Sequence, residues 1–189
     1  VSDIPLLTKN QLLHKKSNTG GIVVVGSHTK KTTAQLKELL TLECVVGIPF
    51  HSHLVSAGDH IFSREIQRVI HESEDVMRQG KTAVCYTDRK LLTVKNETKE
   101  ESLIRSVKIS DGVQALIGKL SITPSFVIAK GGITSSDVGT KALKVRRADV
   151  LGQIKPGVPV WRTGKESRFP QIPYIIFPGN VGGTETLKE

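Results

Sequence analysis

The fold of this chain is decided by one stretch of sequence, Phe126-Val127-Ile128-Ala129-Lys130-Gly131-Gly132-Ile133-Thr134-Ser135-Ser136-Asp137. An apolar run with β propensity leads into a glycine pair and then into a segment with helical character, so the stretch predicts a strand, a tight turn and a helix N-terminus. Backbone N–H groups in such a turn lie in the positive field of the helix and attract anions. The stretch therefore predicts a nucleotide or phosphosugar site in an α/β fold.

Short β-rich runs alternate with longer segments of helical period along the rest of the chain, which is typical of a mainly parallel sheet flanked by helices. Strands are predicted at 22–25, 44–48, 82–86, 126–129, 158–161 and 174–177. Helices are predicted at 32–40, 61–77, 103–120 and 135–145, although Gly139 weakens the last of them. The charged run 96–101 carries no predicted function. We expect a single α/β domain over residues 21–189, preceded at 1–20 by a helix and linker from a preceding domain.

Charge and composition restrict the class of partner. The chain has 27 Lys and Arg against 18 Asp and Glu, a net charge of +9, so it attracts acidic molecules. The basic residues are scattered as pairs and aromatic residues make up only 4%, which leaves no stacking platform for single-stranded nucleic acid. No apolar run reaches the roughly 20 residues of a membrane span. A nucleotide is therefore a better candidate partner than a nucleic acid or a membrane.

The spacing of the cysteines and histidines in the sequence indicates no metal or redox site. Cys44 and Cys85 each lie in a predicted strand and match no metal or redox spacing, so we expect buried, reduced thiols and, with them, a cytoplasmic location. The pair His51 and His53 has no third ligand nearby in the sequence, and such pairs are more typical of an exposed turn. No metal site is predicted.

Polar or glycine-rich turns follow three of the predicted strands, at 26–29, 130–134 and 178–183. The carboxyl ends of parallel strands gather at one edge of a sheet, and ligands of α/β folds bind there. None of the turns matches the phosphate loop with its lysine or the Gly-x-Gly-x-x-Gly dinucleotide turn. On this evidence alone, the glycines could equally serve only to make tight turns.

Four separated motifs, in this order along nearly the whole chain, resemble the C-terminal nucleotide-binding domain of the four-carbon acid sugar kinases. They are Val24-Val25-Gly26-Ser27 followed by Thr33-Ala34-Gln35-Leu36, Ile128 to Asp137, Gly157-Val158-Pro159-Val160, and Phe177-Pro178-Gly179-Asn180-Val181-Gly182-Gly183. The resemblance implies an ATP- and Mg²⁺-dependent kinase that phosphorylates the terminal hydroxyl of a sugar acid such as threonate or erythronate.

The resemblance also assigns residues. It implies nucleotide binding by Ser27, Gly131, Gly132, Ile133, Thr134, Gly179 and Asn180. Lys130 could add a positive charge if its side chain points inward, and Asp137 could position hydrated Mg²⁺ or serve only the dipole of the helix in whose first turn it is predicted. In the family, the sugar acid and the catalytic residues belong to an N-terminal domain, so this chain alone is expected to be inactive.

One motif departs from the family pattern. Bacterial members have a lysine where Phe177 stands and an aromatic residue where Val181 stands, so a cation is expected to be missing near the phosphates. The alternative is a non-catalytic α/β module of a large multi-domain metabolic protein. A homo-oligomer is compatible with either function.

Overall fold

The structure is a computed structural model that describes residues 6–12 and 18–189, and these residues form a seven-stranded sheet with helices on both faces. The strands are β1 Ile22–Val25, β2 Val45–Phe50, β3 Thr82–Thr87, β4 Val127–Lys130, β5 Ala148–Lys155, β6 Val158–Thr163 and β7 Pro173–Phe177. The helices are α1 Lys9–Leu12, α2 Lys30–Leu39, α3 Asp59–Arg78, α4 Lys99–Gly118 and α5 Gly132–Asp137. A 3-10 turn spans Ser52–Ala57 and a π turn spans Val138–Ala142.

The sheet has the strand order β2-β3-β1-β4-β7-β6-β5. The first five strands of this order are parallel, whereas β6 runs antiparallel to both β7 and β5. The prediction of a single α/β domain with a mainly parallel sheet is therefore confirmed. Strand β1 lies at the centre and all four of its residues are buried, as its run of β-branched side chains predicts.

The alternating side chains of the sheet divide the core into two layers. Ile22 and Val24 of β1 point to the layer beneath α3 and α4, and Val23 and Val25 point to the layer beneath α2. Because both faces of the central strands are covered, the functional groups of the domain are left to the ends of the strands.

Strand β5 escaped the sequence prediction. It lies at the edge of the sheet, its pattern of burial does not alternate, and its pairing with β6 is irregular between Val150 and Gly152 and between Gln153 and Lys155. Irregular edge strands carry a weak period-two signal. The Pro156-Gly157 pair that closes the hairpin, with Gly157 at φ +81°, was the signal available in the sequence.

The helix predicted at 135–145 begins earlier in the structure, and its α-helical part also ends earlier. Helix α5 starts directly at Gly132 and gives way to a π turn at Val138. The hydroxyl of Tyr174 donates to the carbonyl oxygen of Ser135 at 2.5 Å, the oxygen that a regular α-helix would pair with the N–H of Gly139. A side chain inserted into the helical ladder in this way explains the change of pitch.

Helix α4 begins four residues earlier than predicted, inside the charged run 96–101. Thr98 accepts a hydrogen bond from the N–H of Glu101, and the Glu101 carboxylate accepts one from the N–H of Thr98, which makes a capping box. Part of this run therefore serves to start a helix.

The ends of the chain and its cysteines complete the description. Of the predicted segment 1–20, residues 1–5 and 13–17 lie outside the described residues. The N–H of Leu7 donates to the carbonyl oxygen of Gln153 in β5 at 2.7 Å.

Cys85 is buried as predicted, but Cys44 is exposed because it precedes β2 instead of lying in it. Among the described residues, no helix combines the length and the apolar character that crossing a bilayer requires.

Candidate functional site at the strand ends

The three predicted turns follow strands that lie side by side. Strands β1, β4 and β7 are neighbours, and their last residues, Val25, Lys130 and Phe177, stand in register. The N–H of Gly26 donates to Lys130 O at 3.1 Å, and the N–H of Gly131 donates to Phe177 O at 2.9 Å, so the ladder continues into the turns. The turns therefore leave the sheet at one level and at one edge.

These turns enclose a cavity of about 420 Å³. Its walls contain every residue that the sequence assigned to nucleotide binding, together with three more from the first turn. The assigned residues are Ser27, Gly131, Gly132, Ile133, Thr134, Gly179 and Asn180, and the additional ones are Gly26, His28 and Thr29. None of these ten residues is acidic.

Two glycines allow the turns to approach each other closely. A Cβ on Gly26 would lie 2.0 Å from Thr134 Oγ1, so any other residue at position 26 would require the neighbouring atoms to move. Gly131 has φ +119°, and a Cβ there would also crowd the backbone nitrogen of Ser27 at 3.2 Å. The first and second turns therefore touch only because both residues lack a side chain.

Side chains of α2 and of its N-cap residue Thr29 hold the third turn by its carbonyl oxygens. Thr29 Oγ1 and Thr32 Oγ1 donate to Gly179 O at 3.3 and 3.1 Å. Gln35 is fully buried, and its Nε2 donates to Val181 O at 3.0 Å and to Gly183 O at 2.8 Å. These bonds occupy carbonyls and leave donors free: the N–H groups of Ser27, His28 and Asn180 make no hydrogen bond to the described residues. The cavity wall thus offers N–H groups and hydroxyls.

Two lysine side chains reach the third turn, Lys130 from the end of β4 and Lys31 from α2. Lys130 is fully buried, its Nζ lies 4.0 Å from the centre of the Phe177 ring, and it donates to Pro178 O at 2.6 Å. Burial, and next the charge of Lys31, lower the Lys130 pKa from 10.5 to about 8. Lys31 Nζ donates to Asn180 O at 3.1 Å. The loop that lacks a lysine of its own is therefore bordered by two.

Arg89 supports the first turn through a hydrogen bond to its backbone. Its guanidinium donates to Ser27 O at 2.8 Å, to Thr87 O at 3.0 Å and to Thr87 Oγ1 at 2.9 Å. Burial lowers the pKa of His28, and the neighbouring Arg89 charge lowers it further; both effects favour the neutral imidazole. Arg89 and Lys31 were missed at the sequence level. Both belong to basic pairs of the sequence, Lys30-Lys31 and Arg89-Lys90, but these pairs alone indicated no site.

Asp137 does not lie at the cavity. Because α5 begins at Gly132, Asp137 is the last residue of the helix and not part of its first turn, so neither the dipole nor the Mg²⁺ interpretation fits. Its Oδ2 accepts a hydrogen bond from Ser110 Oγ at 2.5 Å, and its Oδ1 lies 3.5 Å from Lys141 Nζ. The residue joins α5 to α4.

A second and larger cavity of about 610 Å³ adjoins the first. It lies between the segment 90–99 and α4, and it shares Gly26, His28, Ile133 and Thr134 with the smaller cavity. Its walls include apolar side chains such as Leu92, and Leu91 and Ile133 are 72% and 74% exposed at its border. A ligand with a polar and an apolar part could occupy both cavities at once.

His51 and His53 gain a third neighbour in the structure. Asp88 directly follows β3, which pairs with β2, so its carboxylate reaches the segment that follows β2. Donor atoms of the three side chains lie within 4.8 Å of one another. The sequence showed no third ligand because Asp88 is distant along the chain.

Comparison with solved structures shows the same fold in longer proteins. A domain of unknown function from Bordetella bronchiseptica, crystallised with bound citrate as a domain-swapped dimer, has a TM-score of 0.68 and 18% identity over 89% of this chain and 39% of its own. A second crystal form of that protein gives a TM-score of 0.61 and 15% identity over 90% and 38%. The putative tRNA synthase of Salmonella typhimurium LT2 gives 0.62 and 16% over 89% and 39%. This chain thus spans about two fifths of the length of these proteins.

At the level of sequence, no curated protein matches the chain significantly. A family described as the nucleotide-binding C-terminal domain matches residues 22–187, which includes every strand of the sheet and both cavities. The chain, whose strand-end turns meet around one cavity without acidic residues in its walls, therefore belongs to the nucleotide-binding C-terminal domain family.

Proposed function

We propose that this domain binds ATP, with its phosphates in the smaller cavity, and that it is the nucleotide half of a kinase for four-carbon sugar acids. The observation that carries the proposal is the meeting of three strand-end turns around one cavity with free N–H groups, hydroxyls and no acidic residue in its walls. Phosphoryl transfer depends mainly on positioning and on neutralising charge, and these groups do both.

The cations around the cavity support a triphosphate in particular. Lys31 and Lys130 border the third turn, and Arg89 lies behind the first. Lysine acts on phosphate as a point charge, so its effect does not require it to belong to one particular loop. Lys130 and Lys31 therefore compensate for the lysine that the sequence lacks at Phe177.

Mg²⁺ bound to ATP would find oxygen donors at this site. Thr32 Oγ1 lies 2.9 Å from Ser27 Oγ, and Ser27 Oγ lies 3.4 Å from Thr29 Oγ1, so the three hydroxyls form one group. Mg²⁺ keeps several waters and is usually held by carboxylates together with phosphate oxygens. The cavity provides hydroxyls without a carboxylate, so the ion would be held chiefly by the nucleotide and by water. Its chemical contribution is to neutralise charge on the transferred phosphate.

The larger cavity is suited to the nucleoside. It is continuous with the phosphate cavity through shared wall residues, and its apolar side chains offer contact area to a base. Its volume of about 610 Å³ lies in the range of ligand pockets. Apolar walls do not discriminate strongly among bases, so we expect ATP to be preferred only weakly over GTP.

Binding is tested by calorimetric titration of the chain with Mg-ATP, Mg-GTP and inorganic tripolyphosphate. We expect saturable binding of both nucleotides at a stoichiometry of one, and weaker binding of tripolyphosphate because it leaves the larger cavity empty. Failure of all three to bind at millimolar concentration would contradict nucleotide binding and favour the alternative of a non-catalytic module.

The kinase activity requires a separate test. A longer protein that contains this domain together with a sugar-acid domain should transfer the γ-phosphate of ATP to threonate or erythronate, and the isolated chain should not. Binding of ATP without transfer to any four-carbon sugar acid would leave the domain a nucleotide-binding module and refute the kinase assignment.

A further inference from the structure

We propose that His51, His53 and Asp88 form a binding site for a transition-metal ion of the zinc class, at the rim of the larger cavity. The ligand atoms come from two segments, one after β2 and one after β3, and they lie within 4.8 Å of one another. Ligands that share one ion at about 2.0–2.2 Å lie roughly 3–4 Å apart, so small rotations of the side chains suffice to bring them together.

The backbone that carries the two histidines is fixed on both sides by carboxylates. The N–H of His51 donates to Glu65 Oε1 at 2.9 Å, and the Glu65 carboxylate is held in turn by two bonds from Arg68, at 2.8 and 2.6 Å. The N–H of His53 donates to Asp88 Oδ2 at 2.8 Å. Because both ends of the segment are held, the backbone that carries the imidazoles is fixed, which lowers the entropic cost of binding an ion.

The carboxylate of Asp88 is held in place as well. Its Oδ2 accepts a bond from Ser52 Oγ at 3.2 Å in addition to the one from the backbone N–H of His53. Support of a ligating carboxylate by neighbouring donors is the arrangement found around protein metal sites. The position of Asp88 has an explanation without a metal, because the 3-10 turn needs an acceptor for its donors. This explanation does not explain why imidazoles stand on both sides of Ser52, with ring centroids 5.8 Å apart.

The type of ligand selects the class of ion. Two imidazoles and one carboxylate suit Zn²⁺, Co²⁺ or Ni²⁺, whereas Mg²⁺ prefers oxygen ligands throughout. Three protein ligands leave at least one coordination position open, as in catalytic zinc sites. This site would thus be separate from any Mg²⁺ that arrives with a nucleotide.

The open coordination position of the ion would lie beside the larger cavity. Ser52, which lies between the two histidines, is part of the wall of the larger cavity. Side chains of His51 and His53 are exposed, so an ion bound there could take its further ligand from solvent or from an oxygen atom of a molecule in that cavity. The ion would also place positive charge beside the proposed nucleoside cavity.

The experiment is titration of the 189-residue chain with Co²⁺, followed by its visible d–d absorption, and with Zn²⁺ in competition against a chromophoric chelator. We expect one ion per chain, with Zn²⁺ displacing Co²⁺. The variants His51→Ala and His53→Ala should each weaken binding more than about tenfold, since each removes a ligand. Both side chains are exposed, so the folded state should survive, which circular dichroism checks without metal.

Matched controls are His60→Ala and His71→Ala, which remove exposed histidines of α3 outside the cluster and should leave the affinity unchanged. X-ray absorption of the Zn²⁺-loaded wild-type chain, which needs no variant, should show two imidazole ligands. Absence of binding would overturn the proposal. So would binding that survives in the His51 and His53 variants, equal loss in the control variants, or a metal shell without imidazole.

Discussion

The substitution Gly132→Asp tests whether the smaller cavity holds phosphate groups. A Cβ on Gly132 would meet no atom within 4 Å, and the residue lies in the cavity wall. The free energy of unfolding without nucleotide should therefore change by no more than about 0.5 kcal/mol, as for other unconstrained surface positions. The new carboxylate would stand beside the bound phosphates.

The expected loss of affinity follows from Coulomb's law. Taking a separation of about 6 Å between the Asp carboxylate and the nearest phosphate charge, the repulsion is about 0.7 kcal/mol at the dielectric of water and about 2.8 kcal/mol at an effective dielectric of 20. These limits correspond to a roughly 3-fold and a roughly 100-fold rise in Kd. Because Gly132 is exposed, we expect an effective dielectric between these two limits.

Thermal unfolding with and without Mg-ATP provides the assay. At a nucleotide concentration of about 100 times Kd, wild-type protein gains about 2.7 kcal/mol, which for a domain of this size is a rise in Tm of about 5–10 °C. A 100-fold weaker variant gains only about 0.4 kcal/mol, or about 1 °C.

The matched control is Gly132→Asn, which has nearly the same shape without the charge and should retain most of the shift. A folded Gly132→Asp protein with the full wild-type shift would refute phosphate binding in this cavity. Equal losses in both variants would show that shape, and not charge, excludes the ligand, and would refute the electrostatic argument.

Three further predictions rest on single residues. Because the Lys130 pKa is lowered to about 8, raising the pH from about 7 to 9 should weaken Mg-ATP binding by roughly threefold or more in wild-type protein and not in Lys130→Met, as measured by calorimetry. The unfolded chain keeps that proton up to about 10.5, so between these two pKa values it binds more protons than the folded chain, and wild-type stability to urea should rise with pH relative to the variant. Gly26→Ala would place a Cβ 2.0 Å from Thr134 Oγ1 and should destabilise the domain by about 1–3 kcal/mol in urea unfolding. Ellman's reagent should label exposed Cys44 in the folded protein, whereas Cys85, whose pKa burial raises to about 12, should react only after unfolding.

Each of these predictions has a control or an outcome that would contradict it. Gly183→Ala is the control for Gly26→Ala, since its Cβ would meet nothing closer than Thr186 Oγ1 at 3.9 Å and should cost little. An equal pH dependence of binding in wild-type protein and Lys130→Met would show that Lys130 does not act on the ligand. Two fast-reacting thiols in the folded state would contradict the burial of Cys85.

The strands and helices that face the core were predictable, because side-chain burial imposes a period of two or 3.6 on the sequence. The central strand β1 was predicted with its observed bounds. Strand β5 and the start of α4 were missed, because one is an irregular edge strand and the other starts in a polar capping box. The end of α5 could not be predicted from local sequence, because it depends on Tyr174, which contacts Ser135 and is 39 residues from it along the chain.

The sequence by itself determined the α/β class and the three turns, since strand propensity, helical period and glycine at a turn are local properties. The seven residues proposed to bind the nucleotide came from the resemblance of the four motifs to a family. Only the tertiary structure decided that Val25, Lys130 and Phe177 end in one row, that Lys130 reaches the third turn, and that Asp88 meets His51 and His53. These relations depend on the order of strands in the sheet. That order is set by how both apolar faces of the whole sheet are buried together, and no short stretch of sequence contains that information.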